Sequence, residues 1–333
     1  MKAVVYSKYG SPDVLQFVEV AKPTVGDTDV LVKIMAASVN PLDWRRMRGA
    51  PFLVRLGGGL LAPKNGRPGA DIAGTVAAVG KGVTEFQPGD AVFTDIGSGG
   101  FAEYVVVPEK LLVHKPDNVS FADAAAVPVA GFTALQGLRD IGKLEAGQHV
   151  VVNGASGGVG TYAVQIAKAW GAEVTAVCST RNMELVRSLG ADHVIDYTKE
   201  DFVKNGRSYD LIYDAVGNKS VAAYNRALNP NGKAVVAGFT TLPRMLQVMT
   251  LGSLTSKITG KVIAPLMAHI VKDDLIFLAE MLAAGRIHSV IDRCYPFAEV
   301  AEAMRYVETK RARGKVIIDM QANGQKSQKG AVD

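Results

Sequence analysis

Four glycines, Gly154, Gly157, Gly158 and Gly160, stand within GQHVVVNGASGGVGTYAVQIAK, residues Gly147 to Lys168. Their chemistry is that of bare backbone. A helix N-terminus has N–H groups with no partner in the helix and a partial positive charge, so it receives a phosphate. Glycine lets that backbone and a pyrophosphate come close, and lets helix and strand pack tightly. The spacing is Gly154-x-x-Gly157-x-x-Gly160 with Gly158 added, which departs from the common G-x-G-x-x-G. Context therefore has to support the pattern, and it does. His149 to Asn153 is a short apolar run ending at a glycine, as a buried parallel strand ends. Thr161 to Trp170 places Val164, Ile166, Ala167 and Trp170 on a helix face.

A second group of residues bears on which dinucleotide would bind. A free ribose hydroxyl is usually met by an acid about 20 residues past the glycines. That place reads Cys178-Ser179-Thr180-Arg181-Asn182, and no acid occurs between Glu173 and Glu184. Two hydroxyls and a guanidinium attract a 2′-phosphate that a carboxylate would repel. The expectation is NADPH in preference to NADH. Ser179 or Thr180 capping the next helix is the competing role.

The elements that must position these residues fall into two organisations. From His149 onward strands and helices alternate. Strands are predicted at His149–Asn153, Glu173–Cys178, His193–Tyr197, Asp210–Ala215 and Lys233–Gly238, with helices around Thr161–Trp170, Asn182–Leu189 and Ser220–Leu228. This alternation predicts an α/β, doubly wound parallel sheet with its ligand at the carboxyl ends of the strands. Before about Ser120 short strands and frequent turns predict a small barrel-like β domain: Met1–Tyr6, Val30–Ala36, Ile72–Val79, Ala91–Phe93, Phe101–Val107 and Leu111–His114. Residues Ala50 to Arg67 read as a loop. Thr240 to Val271 has Arg244, Lys257 and Lys261 and no acid. A solvated helix and loop, a segment over a cleft and a membrane-touching amphipathic helix all stay open for it. Asp273–Ala284 and Val300–Lys310 are predicted helices, Lys315–Asp319 a strand and residues 321–333 a flexible tail.

Composition sets outer bounds. A net charge of +5, from 37 basic and 32 acidic residues, is spread along the chain and indicates no nucleic-acid surface. Two cysteines, Cys178 and Cys294, exclude a disulfide framework or a cysteine metal cluster. The first residues lack the apolar core of a signal peptide, and no apolar run approaches the ~20 residues that span a bilayer. A soluble, cytoplasmic protein is expected. Arg45, Arg46 and Arg48 read as a solvated helix face or as a phosphate or substrate contact.

Taken together, the β domain, the doubly wound domain and the returning strands resemble the medium-chain dehydrogenase/reductase superfamily. AAAVPVAGFTALQGL with NGASGGVG, and PGADIAGTVAAVG followed by Gly89-Asp90-Ala91-Val92, are similar to its zinc-free quinone oxidoreductase branch. NPLDWRRMRG resembles that branch's NP-x-D segment. The resemblance implies a GroES-like, partly open β-barrel catalytic domain (1–122 and 266–333) and a Rossmann NADP-binding domain (123–265). It implies that Ser156, Gly157, Gly158 and Val159 hold the pyrophosphate, and that Ser179, Thr180 and Arg181 hold the 2′-phosphate. Tyr197 would lie along the adenosine. Val216, within Ala215 to Gly217, would line the ribose and nicotinamide side, and Gly238, Phe239 and Thr240 would flank the nicotinamide. Asn40, Asp43, Trp44 and Met47 become substrate-pocket candidates, Asn40 through its amide. Local hydrogen bonds around Pro41 are the competing role of Asn40 and Asp43.

Zinc-dependent relatives place a cysteine, a histidine and a further cysteine or acid at the reaction centre. The corresponding stretches here are Ala36-Ala37-Ser38, Gly69-Ala70-Asp71 and Val129-Ala130-Gly131, and no catalytic zinc is expected. The five histidines, at 114, 149, 193, 269 and 288, are scattered and read as structural or exposed. Without a Lewis acid, alcohol oxidation is disfavoured, whereas hydride transfer to a quinone or an enone is not. The implied activity is zinc-independent, NADPH-dependent reduction of quinones or α,β-unsaturated carbonyls, with no catalytic acid assigned. A 2-enoyl-thioester reductase is one alternative, weakened because Pro41 to Lys64 contains no tyrosine. A non-catalytic NADPH-binding structural or sensory protein is another. A homodimer without an integral membrane segment is expected, with peripheral membrane association left open.

Overall fold

The computed structural model describes residues 1–322. The chain forms two compact units. One comprises Met1–Val129, Ile270–Ala283 and the described residues from Ser289 on; the other comprises Ala130–His269 and Ala284–His288. The expected boundaries at 122 and 266 thus fall a few residues short of these. Of the expected tail, all but Gln321 and Ala322 lies outside the described residues.

The second unit holds a six-stranded, wholly parallel sheet. Counting its strands along the chain, the spatial order is 3-2-1-4-5-6, with the strand His149–Asn153 beside Tyr209–Asp214 where the order reverses. That is the doubly wound arrangement, and its ligand crevice lies at this reversal. The first two strands occupy His149–Asn153 and Glu173–Cys178, as predicted. The third stops at Asp196, one residue before Tyr197. The fifth begins at Leu228, earlier than predicted. The sixth, Val262–Pro265, follows an 18-residue helix, Leu242–Thr259, in the stretch whose conformation the sequence left open. That helix lies close to the sixth strand, because a Cβ on Gly252 would meet the Ile263 carbonyl oxygen at 2.4 Å.

Two glutamines close this unit. Gln136 donates to the carbonyl of His269 at 2.8 Å and accepts its N–H at 2.9 Å. Gln165 does the same with His288, at 3.0 and 2.9 Å. Each amide grips the N–H and the carbonyl of one residue, Gln165 donating also to the Thr161 carbonyl, and each ties down a segment at the point where the chain leaves the unit.

In the first unit the long strand Asp29–Val39 organises a seven-stranded sheet. One edge of it pairs with Asp71–Val79 along nearly its whole length. Its other edge is shared: Asp29–Lys33 pairs with Tyr104–Pro108, and Ala36–Val39 pairs with Lys315–Asp319. Strands Gln16–Glu19 and Ile291–Pro296 complete the unit beyond those predicted. Residues 50–67 are not all loop, since Leu53–Gly58 is helical. The helix Pro41–Arg48 follows the long strand directly. Its start is fixed by the Asn40 N–H donating to Asp43 Oδ2 at 2.8 Å, and its end by Gly49 at φ +60°. Among the described residues, no helix is long and apolar enough to cross a membrane.

The glycine turn shows why these positions lack side chains. Gly154 has φ +83°, and a Cβ on Gly160 would lie 2.1 Å from the Gly154 carbonyl oxygen. A Cβ on Gly157 would meet one protein atom, that same oxygen at 3.4 Å. Gly160→Ala should therefore lower the unfolding free energy by ~1–3 kcal/mol, while Gly157→Ala should stay within ~0.5 kcal/mol of the parent. Urea unfolding of the two variants checks this, and equal losses would contradict it.

Candidate coenzyme edge and a buried aspartate cluster

The expected coenzyme residues gather at the carboxyl edge of the parallel sheet. Thr161 N–H makes the first backbone bond of its helix, to Gly157, so the N–H groups of Gly158, Val159 and Gly160 precede the ladder. What a side chain at Gly157 would fill is the open space in front of that helix end. The residues present therefore fit a pyrophosphate.

Neighbouring loops are tied to this turn. Asn182 Nδ2 donates to Ser156 Oγ at 2.8 Å, which leaves the serine proton free to point elsewhere. Asp214, fully buried at the end of the fourth strand, accepts four hydrogen bonds. Asn153 Nδ2 gives one at 2.9 Å, the Val216 and Gly217 N–H groups give two at 2.8 and 2.7 Å, and the Tyr224 hydroxyl gives one at 2.8 Å. Burial, reinforced by Asp214, raises the Tyr224 phenol far above its ordinary pKa, so it stays a donor. A Cβ on Gly217 would lie 1.8 Å from the Gly238 carbonyl oxygen, and one on Gly238 would lie 2.1 Å from that of Ala215. Thr240 Oγ1 donates to the Gly217 carbonyl at 3.2 Å. Ser156 to Val159, Val216, Gly238 and Thr240 thus lie on adjoining loops, with Phe239 packed against the core beneath. Asn153, Asp214 and Tyr224, which hold those loops, carried no sequence signal beyond their strand and helix positions.

The second loop is less uniform than its sequence suggests. Ser179 is half-buried, and Thr180 and Arg181 are exposed. The Thr180 hydroxyl donates to Asp196 Oδ2 at 2.5 Å, so its proton is already spent. That hydrogen bond and those from Thr198 lower the pKa of Asp196 and keep it ionised. Tyr197 lies just past the third strand, 62% exposed, with its N–H bonded to the Cys178 carbonyl.

In the first unit the substrate-pocket candidates part company. Asn40 is 2% exposed. Its Nδ2 donates to Asp71 Oδ2 at 2.8 Å and its Oδ1 accepts from Lys315 Nζ at 2.6 Å. The expectation of a free Asn40 donor needs correction, because both ends of the amide are taken. Met47 is fully buried in the core and cannot line a pocket. Trp44 is half-buried against that core, with the Arg45 guanidinium 5.4 Å from its ring centroid. Asp43 does line a cavity of about 460 Å³, together with Tyr6, Tyr9, Arg46, Lys64 and Arg67. Its Oδ2 caps the helix and its Oδ1 accepts the Gly69 N–H at 2.9 Å. Burial pushes its pKa up to about 6 against those two hydrogen bonds.

The stretches compared with zinc ligands converge on one carboxylate. Asp71, fully buried, accepts from Ser38 Oγ at 2.8 Å, from Asn40, from Lys315 Nζ at 3.2 Å and, at Oδ1, from the Val129 N–H at 2.9 Å. Lys315 is itself 4% exposed in its side chain. An ammonium therefore stands beside Asp71, where it repels a divalent cation. Among the described residues, no three His, Cys, Asp or Glu side chains are grouped as metal ligands.

Comparison with known proteins agrees with this geometry. Residues 26–117 match the family described as alcohol dehydrogenase GroES-like domain, and residues 189–318 match the one described as zinc-binding dehydrogenase. The chain is 35% identical to the chloroplast envelope quinone oxidoreductase homolog of Arabidopsis thaliana, over 96% of this chain and 98% of that one. It belongs to the quinone oxidoreductase branch of the medium-chain dehydrogenase/reductase superfamily. The NADPH-dependent alkenal/one oxidoreductase of the same plant is 36% identical, over 96% of this chain and 79% of that one. The quinone oxidoreductase structure from Coxiella burnetii superposes with a TM-score of 0.85 at 29% identity, covering 96% and 99% of the two chains. The first unit therefore carries the branch's GroES-like fold and the second its Rossmann fold.

Removing one member of the buried pair isolates a charge. Lys315→Met should destabilise the protein by about 3–5 kcal/mol, and adding Asp71→Asn should recover part of the loss. Chemical denaturation of the single and double variants measures this; an additive double variant would contradict the coupling.

Proposed function

We propose that this chain is an NADPH-dependent, zinc-independent reductase that transfers a hydride to quinones or α,β-unsaturated carbonyls. The observation that carries the reading is the bare helix N-terminus at Gly157–Gly160, set at the reversal point of the parallel sheet. The names of the two plant relatives, a quinone oxidoreductase and an alkenal/one oxidoreductase, support the substrate class. When bound, the nicotinamide supplies the hydride.

The chain's own contribution is to hold and orient. Ser156 to Val159 would take the pyrophosphate, and Val216 with Gly238 to Thr240 would fix the nicotinamide side. Tyr197, exposed beside the Cys178 strand end, would lie along the adenosine. The preference for NADPH rests on Ser179 and Arg181, because the Thr180 hydroxyl donates its hydrogen bond to Asp196. No catalytic acid or metal is assigned. Asp71 already accepts four hydrogen bonds, one of them from the lysine beside it. Cytoplasmic residence is part of the proposal, although the relatives named above include chloroplast proteins by name.

A homodimer is also part of it. The outward side of the helix Leu242–Thr259 shows Leu246, Met249, Leu254 and Ile258, and the neighbouring strand Val262–Pro265 is the last of its sheet. Two cations of that stretch are turned to local partners. Lys261 Nζ donates to the carbonyls of Asn225 and Leu228, and Arg244 donates to Gln247. A mostly uncharged apolar face suits a second copy better than an anionic bilayer.

Steady-state kinetics on a panel of 1,4-quinones and enones should show turnover with NADPH and a higher kcat/KM than with NADH. Arg181→Ala should weaken NADPH by roughly one to two decades and leave NADH nearly unchanged. Coenzyme binding without turnover across the panel would favour a sensory role instead. Light scattering should give a dimer mass, and Leu246→Glu with Leu254→Glu should give a monomer; unchanged mass would reject this face.

A further inference from the structure

The cavity in the first unit has features that hydride transfer does not call for. Its wall carries three cations, Arg46, Lys64 and Arg67. Arg46 is anchored through Nη1 on the Gly97 carbonyl at 2.5 Å, which leaves further N–H groups. The side chains of Lys64 and Arg67 have no hydrogen-bond partner among the described residues, although the Arg67 backbone N–H is held by Asn65. The one carboxyl group in the lining, Asp43, has its two oxygens turned to backbone N–H groups.

A second observation points inward. Tyr6 is 6% exposed and lines this cavity, and its hydroxyl has no partner among the described residues. Its oxygen is not among the sealed polar atoms that lack a partner, so it opens onto the cavity. Burial and the nearby Asp43 push its pKa up to about 12, so at neutral pH it is a donor without an acceptor. Gly57 and Gly97 add bare backbone, since a Cβ on either would meet nothing within 4 Å. Cations at the rim, an idle donor within and about 460 Å³ of space describe a receptacle for a small anion.

We propose that this cavity binds the carboxylate or phosphate group of a small organic anion, held by Arg67 and Lys64 at the rim and by the Tyr6 hydroxyl inside. The anion is either part of the molecule being reduced or a separate effector. The site does not depend on the hydride-transfer reading.

Calorimetric titration of inorganic phosphate and of benzoate into the full chain tests it, with NADP+ saturating so that the second unit's phosphate site is filled. At least one probe should bind. Lys64→Ala with Arg67→Ala should weaken it at least ~10-fold, and Tyr6→Phe should weaken it severalfold. Lys81→Ala, a surface lysine paired with Asp27 elsewhere, should change nothing. No heat at about 10 mM of either probe, or equal binding by the double variant, would overturn the site and leave an adventitious ion only. The source follows from kcat/KM for 3-benzoylacrylate and its methyl ester. A preference for the acid that the double variant loses assigns the anion to the substrate. Equal use of the two, with phosphate binding intact, assigns it to an effector. Absence of turnover would count against the reductase reading alone, because the titration still decides the site.

Discussion

A carboxylate sealed from solvent shapes the coenzyme edge. Asp214 ends the fourth strand of the parallel sheet with no exposed surface, and an ion so placed is tolerable only if its lone pairs are filled. Asn153 fills one from the adjoining strand, Val216 and Gly217 fill two from the loop that follows, and Tyr224 fills another from the next helix. The strand end, the loop and the helix are thereby held at one point. Within that clamp a side chain on Gly217 would strike the Gly238 carbonyl, and one on Gly238 the Ala215 carbonyl.

The first unit repeats the device with a different balance. Asp71 is equally inaccessible, but one of its donors is an ammonium, Lys315, which also takes the Asn40 oxygen. A neutral ring of donors and a true ion pair solve the same desolvation problem. The difference lies in what each leaves outside. At Asp214 two of the donors are drawn from the loops at the sheet's carboxyl edge, whose backbone is held in close approach. At Asp71 every polar group is turned inward, and the neighbouring chemistry passes to Asp43, Tyr6 and the cations of the cavity.

Legibility in the sequence followed local physics. His149–Asn153 and Glu173–Cys178 were readable to the residue because a parallel strand buried on two faces is a short apolar run. The glycine turn was readable because Gly154 at φ +83° and the close backbone approach at Gly160 exclude side chains there. The helix Leu242–Thr259 was not, because its outward Leu246, Met249, Leu254 and Ile258 are as apolar as the inward Val248, and no period separates the faces. For Asn40 the sequence offered a pocket role or local hydrogen bonds around Pro41, but not the partners it has. Its partners Asp71 and Lys315 are distant in sequence, and only the pairing of three strands brings them together. The Thr180–Asp196 hydrogen bond was hidden for the same reason, since it joins the ends of two different strands.

The glutamine contacts have a topological consequence. Gln136, near the start of the 130–269 segment, holds His269, its final residue, and so entry and exit meet at one place. A segment closed in this way behaves as an insert: it can sit in the middle of a host polypeptide without stretching either side of the splice. The β unit is then a host interrupted by residues 130–269 and again, briefly, by 284–288, rather than the first half of a tandem.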